Sequence, residues 1–213
     1  EKIAVNAVMA GCKAEYMPVL LAAVEAACEE KVNLHGLQAT TNPVGPMLLL
    51  NGPIRNELDI NCRAGAFGPG WRANAAIGRA FRLVLLNIGG ATPGPVDKAT
   101  QGYPGKYGFC FGELEEESPW EPLHVERGFA REESTVTVTG AQGTTSINAG
   151  TPESGHVLIK DLALGMVNTG CNNFRMRQEG EPLLALCPPH AGILAREGYT
   201  KQQVKEHLFQ EVR

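Results

Sequence analysis

The sequence lacks a long apolar segment, since its two most apolar bursts, Met47–Leu50 and Leu83–Leu86, are each four residues long. A membrane-spanning helix needs roughly 18 or more consecutive apolar residues. The chain also lacks an excess of basic residues, with 19 lysines and arginines against 23 aspartates and glutamates and a net charge of -4. Nucleic-acid-binding domains are more basic than this. We therefore expect neither a membrane span nor a nucleic-acid partner.

Closely paired cysteines are also missing. The six cysteines are far apart in the chain, and none belongs to a C-x-x-C pair. This spacing is unlike that of a zinc module or of a small disulfide-rich scaffold. No motif indicates a metal or another cofactor. Because no secretion signal is recognisable, we expect reduced thiols and a cytoplasmic protein.

What the chain does have is the size and composition of a globular protein. Its 213 residues are 43% hydrophobic and 20% charged, which is enough to bury a sizeable core. No internal repeat divides it. We expect one α/β domain over residues 1–213, either alone or as the larger part of a longer chain or of a two-subunit assembly.

Predicted helices and strands interleave without strict alternation. Apolar residues at helical spacing predict helices in residues 15–29, 73–88, 157–168, after the Pro-Pro-His of 188–190 and from the capping Thr200 onward. Alternating or short apolar runs predict strands in residues 33–41, 47–50, 106–113, 134–140 and 182–187. Residues 4–10 fit a strand or a helix, and residues 91–106 fit a long loop. This order favours an α/β or α+β fold with a mixed sheet and flanking helices in layers.

A glycine-rich stretch, "GPGWRANAAIGRAFRLVLLNIGG" (68–90), begins the clearest helix. Gly68 and Gly70 would allow a ligand to approach the backbone closely, and Arg72 would stand beside the unpaired N–H groups at the helix start. This arrangement favours a site for a carboxylate or phosphate. The alternative is an ordinary solvated helix face, and we expect Arg79 and Arg82 to be structural.

Three side chains are candidates for moving protons or forming bonds. Cys12 precedes a predicted helix, and a helix N-terminus lowers the pKa of a thiol; the alternative is a small buried cysteine. Glu115 and His124 belong to an acid-rich segment and could serve acid–base chemistry or a hard metal ion. The alternative for that segment is a solvated loop.

Two more polar residues stand at the ends of predicted strands. His35 begins one strand, and Asn51 follows another within Asn51-Gly52-Pro53. Ligand sites of α/β proteins form at strand ends. We therefore expect His35 and Asn51 to bind substrate, although a lone histidine is more often structural.

Four long runs resemble the bacterial UGSC (seleno)protein family, which is named for a Sec-Gly-Ser-Cys motif in which cysteine often replaces selenocysteine. The runs are "EKIAVNAVMAGCKAEYMPVLLAAVEA", "LHGLQATTNP", "GPGWRANAAIGRAFRLVLLNIGG" and "SPWEPLHVERGF". The chain has no Cys-Gly-Ser-Cys, so it resembles the companion polypeptide or domain of that motif. It also departs where relatives read Glu-Asn-Glu, because Leu114 stands between Glu113 and Glu115.

The resemblance implies a two-part assembly, a thiol or selenol redox step and a set of motif residues. These residues are Cys12, Glu15, Gln38, Thr40, Asn51, Trp71, Arg72, Asn74, Arg79, Lys106, Cys110, Glu113, Glu115 and Trp120. Those with side chains suited to chemistry are Cys12, Arg72, Asn74, Lys106 and Glu115. Of these, we expect Lys106 to be catalytic, and we expect Asn74 to bind substrate with Arg72. The resemblance implies no substrate.

Three functions fit these observations. The first is an enzyme, or enzyme subunit, that acts on a small anionic or polar molecule with Cys12 as nucleophile or redox thiol and the Arg72 loop as anion site. The second is a lyase or hydrolase that uses glutamate and histidine, with or without a metal. The third is a non-catalytic partner of a UGSC-type subunit. A small-molecule substrate and a partner subunit or homo-oligomer are the expected partners.

Overall fold

The computed structural model describes residues 1–167 and 182–212, and these form two compact units. The first unit comprises Glu1–Glu115 and Pro122–Thr144, and the second comprises Glu116–Glu121 and the described residues from Thr145 onward. Cys171 lies outside the described residues. A single domain over residues 1–213 stays a prediction.

Helices and a mixed sheet make up the described residues, which confirms the expected α/β or α+β class. The strands are β1 (Gly45–Asn51), β2 (Cys110–Gly112) and β3 (Thr135–Ala141). The helices are α1 (Lys2–Met9), α2 (Met17–Ala27), α3 (Leu34–Ala39), α4 (Ile54–Glu57), α5 (Arg72–Asn87), α6 (Leu123–Glu126), α7 (Gly155–Met166), α8 (Pro188–Arg196) and α9 (Lys201–Glu211).

The sheet has the strand order β2-β1-β3 and belongs to the first unit. β1 pairs in parallel with β2, so that Leu50 lies opposite Gly112. β1 pairs antiparallel with β3, so that Asn51 lies opposite Thr135. A parallel pair requires a long crossover connection, and α5 lies within it. As a result, β1 and β2 end side by side at the same edge of the sheet.

The two faces of the sheet are covered differently. On one face, Leu48, Leu50 and Cys110 belong to a core cluster that also contains buried residues of α1, α2 and α5. On the other face, Met47, Leu49 and Phe111 form a smaller cluster against Ala66, Phe109 and Leu123. Because side chains alternate along a strand, Asn51 shares the face of the smaller cluster.

The apolar stripe predicted for α5 is confirmed. Ile77 and Ala80 are fully buried, and Phe81 is 3% exposed. Burying a side chain such as Ile77 or Phe81 contributes about 1.5–3 kcal/mol of transfer free energy. The apolar positions of this one helix therefore anchor the crossover to the sheet.

Two predicted strands are wrong, and a third is shorter than expected. Residues 34–39 form α3, because the Asn33 side chain accepts a hydrogen bond from the Gly36 N–H and caps the helix. Residues 182–187 form no strand; Leu184 and Leu186 instead pack against a helical core, and Leu183 is 50% exposed. The strand predicted over 106–113 is reduced to Cys110–Gly112.

The second unit is built from helices α7, α8 and α9 around Leu158, Leu162 and Leu194. The predicted cap of the last helix is confirmed, since Thr200 and Gln203 form a reciprocal capping box. Trp120 packs against this core, and its Nε1 donates to the Tyr199 carbonyl at 3.0 Å. Within the described ranges, none of the helices is both long and apolar enough to cross a membrane.

Candidate functional site

Polar side chains converge where β1 and β2 end. Asn51 is the last residue of β1, and Glu113 and Glu115 follow β2 closely in the chain. Arg55 of α4 and His124 of α6 complete the group. We call these five residues, Asn51, Arg55, Glu113, Glu115 and His124, the carboxylate cluster. Ligand sites in open α/β sheets form outside this edge, where parallel strands end.

One oxygen of Glu115 receives two hydrogen bonds and an ion pair. Oε1 accepts from Asn51 Nδ2 at 2.9 Å and from the Gly52 N–H at 2.7 Å. It also lies 3.0 Å from Arg55 Nε, whose hydrogen is donated to the Gly52 carbonyl. The Arg55 side chain is 3% exposed and that of Glu115 is 7% exposed. A buried carboxylate with a charged partner and two further donors is held in one orientation.

Glu113 links the two strand ends to α6. Its Oε2 accepts from Asn51 Nδ2 at 2.6 Å and from the Leu123 N–H at 2.8 Å. Arg55 also donates to the Glu113 carbonyl at 2.6 Å. Asn51 therefore lies between two carboxylates, and Leu123, next to His124, is fixed to the same group.

His124 is buried beside Glu115. Its Nε2 lies 3.4 Å from the Arg131 carbonyl, and its Nδ1 lies 3.9 Å from Glu115 Oε1. A carbonyl only accepts, so a hydrogen bond from Nε2 to Arg131 requires the hydrogen on Nε2. In that neutral tautomer, Nδ1 has a lone pair.

Three buried polar atoms at this edge have no hydrogen-bond partner among the described residues: Asn51 Oδ1, His124 Nδ1 and Thr135 Oγ1. Thr135 is directly opposite Asn51 in the ladder, so the two side chains share a face. Buried polar groups of native proteins are almost always hydrogen-bonded to protein or to ordered water. An amide oxygen and a hydroxyl can each accept a hydrogen bond, as can a ring nitrogen that carries no hydrogen, so each atom has capacity for a further hydrogen bond.

Cys12 and Arg72 are brought together beside the beginning of α5. Arg72 donates to the Gly11 carbonyl at 3.1 Å and 3.2 Å, and Cys12 Sγ donates to the Ala76 carbonyl at 3.3 Å. Burial raises the pKa of the Cys12 thiol, and the charge of Arg72 lowers it by less. The expected lowering of this pKa is therefore wrong, because the cost of burying the thiolate exceeds the attraction of Arg72.

Lys106 belongs to a different network. Its Nζ donates to Asp97 Oδ1 at 2.9 Å and to the Val44 carbonyl at 2.8 Å. Arg82 also pairs with Asp97, whose side chain is 5% exposed. The two cations thus neutralise a buried carboxylate of the long loop of residues 91–106. Arg82 ties this loop to α5, and Lys106 ties it to Val44, just before β1. Catalysis by Lys106 stays a prediction that this geometry does not favour.

The remaining predicted binding residues are dispersed. The Asn74 side chain bonds to the Asn61 backbone at 2.8 Å and 3.0 Å, which fixes the glycine-rich loop on α5. Gly68 donates to the Gly65 carbonyl at 2.7 Å, whereas a Cβ at Gly70 would contact nothing within 4 Å. His35 is exposed on α3 rather than at a strand end.

Sequence reasoning therefore found Asn51, Glu115 and His124 but missed Arg55 and Thr135. The position of Arg55, shortly after the Asn51-Gly52-Pro53 turn, was a usable signal, because it follows the same strand end as Asn51. Thr135 carried no signal, since its role depends on the register of β3 with β1. Among the described residues, no group of three or more histidines, cysteines, aspartates and glutamates is arranged to hold a metal ion.

Comparison with protein-family models, with curated proteins and with solved structures found no match. The resemblance to the UGSC family accordingly stays a prediction. The function has to be argued from the geometry of the chain.

Proposed function

We propose that the carboxylate cluster performs general acid–base chemistry on a small polar molecule, as a lyase or a hydrolase does. The observation that carries this proposal is the set of three buried atoms at one strand edge, Asn51 Oδ1, His124 Nδ1 and Thr135 Oγ1, which have no hydrogen-bond partner in residues 1–167 and 182–212. A purely structural network gains stability by pairing such atoms, because each unpaired buried group costs about 1–3 kcal/mol.

Each residue has a distinct role in the proposed reaction. His124 Nδ1 accepts a proton from the substrate or from a water molecule and returns it later in the cycle. Glu115, held by two hydrogen-bond donors and by its ion pair with Arg55, positions the ring and stabilises the imidazolium that forms. Asn51 Oδ1 and Thr135 Oγ1 bind the donor group of the substrate.

Acid–base chemistry is better supported than thiol chemistry at Cys12. A nucleophilic or redox cysteine needs thiolate near neutral pH, and the raised pKa of Cys12 reduces the thiolate fraction. Its Sγ is also engaged with the Ala76 carbonyl.

The first test is the state of the His124 ring, read from its nitrogen chemical shifts in ¹⁵N-labelled protein near neutral pH. We expect hydrogen on Nε2 and a lone pair on Nδ1. A ring in which Nδ1 is permanently protonated and bonded to Glu115 contradicts its role as a base. This measurement needs no knowledge of the substrate.

The second test is catalytic. A panel of small esters, amides and hydroxy acids is incubated with the protein, and hydrolysis or elimination is followed by NMR. We expect His124→Gln to slow the reaction that is found by about 10²–10⁴-fold. His156→Gln, which changes an exposed histidine of the second unit, is the matched control. Equal rates in the two variants contradict the proposal, as does a folded wild type that converts no member of the panel.

A further inference from the structure

An open pocket of about 360 Å³ lies at the other end of β2, in the first unit. Its lining includes Phe67, Gly68, Asn74, Arg79, Tyr107 and Phe109. None of these residues belongs to the carboxylate cluster. The volume lies in the range of small-molecule sites, which is about 300–1,000 Å³.

Two glycines place the walls of the pocket against each other. A Cβ at Gly108 would lie 2.7 Å from the backbone nitrogen of Arg79, and a Cβ at Gly78 would lie 2.9 Å from the backbone nitrogen of Phe109. Helix α5 therefore crosses the segment before β2 with backbone in contact with backbone. This crossing sets Arg79 beside Tyr107 and Phe109.

Aromatic rings form the apolar part of the pocket. The Phe67 ring meets Phe109 edge-on, with centroids 5.6 Å apart. Phe67 remains 53% exposed and Tyr107 remains 74% exposed. Large rings that line a concavity and stay exposed are suited to cover a flat apolar ligand.

Arg79 is the charged group of the pocket. It is exposed, and within residues 1–167 and 182–212 it makes no hydrogen bond or ion pair. Its neighbour Arg82 is neutralised by Asp97. Burial is the main cause that lowers the pKa of Arg82, and the nearby charge of Arg79 also lowers it. The pocket therefore carries an uncompensated positive charge beside aromatic rings.

We propose that this pocket binds a small molecule with a flat apolar body and a terminal oxyanion, a carboxylate or a phosphate. Phe67 and Tyr107 contact the body, and the guanidinium of Arg79 binds the oxyanion through paired N–H donors. Sequence reasoning placed an anion site at the glycine-rich loop with Arg72. The pocket keeps Gly68 and Asn74 of that expectation but replaces Arg72, which is bonded to Gly11, with Arg79. The proposal does not depend on catalysis by the carboxylate cluster.

The test compares three probes of one shape, 2-naphthoate, 2-naphthyl phosphate and the neutral 2-naphthamide, by NMR titration of the full chain. We expect at least one of the two anions to bind with a Kd on the order of 0.1–1 mM and the amide to bind about tenfold more weakly. The two anionic probes decide between a carboxylate and a phosphate. Shifted backbone signals should include those of Gly68 and Gly108.

Two variants and a control complete the test. Arg79→Gln should weaken the binding of the anion about tenfold and leave the binding of the amide unchanged. Phe67→Ala should weaken the binding of all three probes. Arg196→Gln, the same change at an exposed arginine of α8 in the second unit, should have no effect. Anion binding that is equal in wild type and Arg79→Gln overturns the proposal. An absence of binding by both anions up to about 10 mM also overturns it.

Discussion

β2 has two ends of opposite character. Beyond its last residue, Gly112, the buried side chain of Glu115 and the half-buried Glu113 contact an arginine, an asparagine and a histidine, and polar atoms are enclosed. The other end of β2 begins at Cys110. The two residues Phe109 and Tyr107, which precede it, line an open pocket with an exposed arginine. Burial makes polar contacts strong and costly to break, whereas exposure leaves rings and charge available to a ligand. Substitutions should accordingly cost stability at the first end and alter binding at the second.

The largest effect is expected from Glu115→Ala. It removes the acceptor of two hydrogen bonds and leaves the buried Arg55 guanidinium without this ion-pair partner. We expect a loss of about 3–5 kcal/mol in the free energy of unfolding, measured by urea denaturation. Glu132→Ala, at an exposed glutamate, should change it by no more than about 0.5 kcal/mol. A loss under about 1 kcal/mol for Glu115→Ala would mean that the cluster is solvated like a surface ion pair.

The carboxylate cluster at one end of β2 was easier to predict from the sequence than the pocket at the other end. The cluster contains polar side chains that draw attention near the end of a predicted strand, namely Asn51, Glu115 and His124. The apolar run of β1 shows in the sequence where one of these strands ends. The pocket depends on Gly78 and Gly108 meeting in space, 30 positions apart in the chain, and no local pattern encodes that crossing.

The same contrast explains the errors in the fold. Amphipathic α5 and α9 follow from periodicity because each carries its own apolar stripe. Residues 34–39 depend on one side-chain cap at Asn33, and the leucines of 182–187 depend on a distant helical core. Periodicity therefore predicts elements that are defined locally and misses those that are defined by tertiary contacts.

An intermediate effect is expected at the crossing that shapes the pocket. Gly108→Ala would place a Cβ 2.7 Å from backbone atoms of Gly78 and Arg79, which cannot move without shifting α5. We expect a loss of about 1–3 kcal/mol in stability together with weaker binding of the naphthyl anions.

Gly70→Ala is the matched control, because a Cβ there would contact nothing within 4 Å. Its free energy of unfolding should stay within about 0.5 kcal/mol of wild type. If Gly108→Ala binds the anions as wild type does, the backbone contact is not what positions Arg79 and Tyr107.

The smallest effect on stability is expected from Thr135→Val, which also tests most directly whether the two ends of β2 differ in function. The hydroxyl has no partner among the described residues, so its replacement by a methyl group breaks no hydrogen bond inside the protein. The unfolding free energy should change by about 0.5 kcal/mol or less, or rise. Catalysis, in contrast, should fall if the hydroxyl binds the substrate.

Thr137→Val is the control for this substitution and should leave catalysis unchanged. Thr137 lies on the same face of β3, opposite Leu49. A large loss of stability for Thr135→Val alone would show that the hydroxyl is bonded to an ordered water molecule that supports the fold, and the enclosed end of β2 would then be structural rather than catalytic.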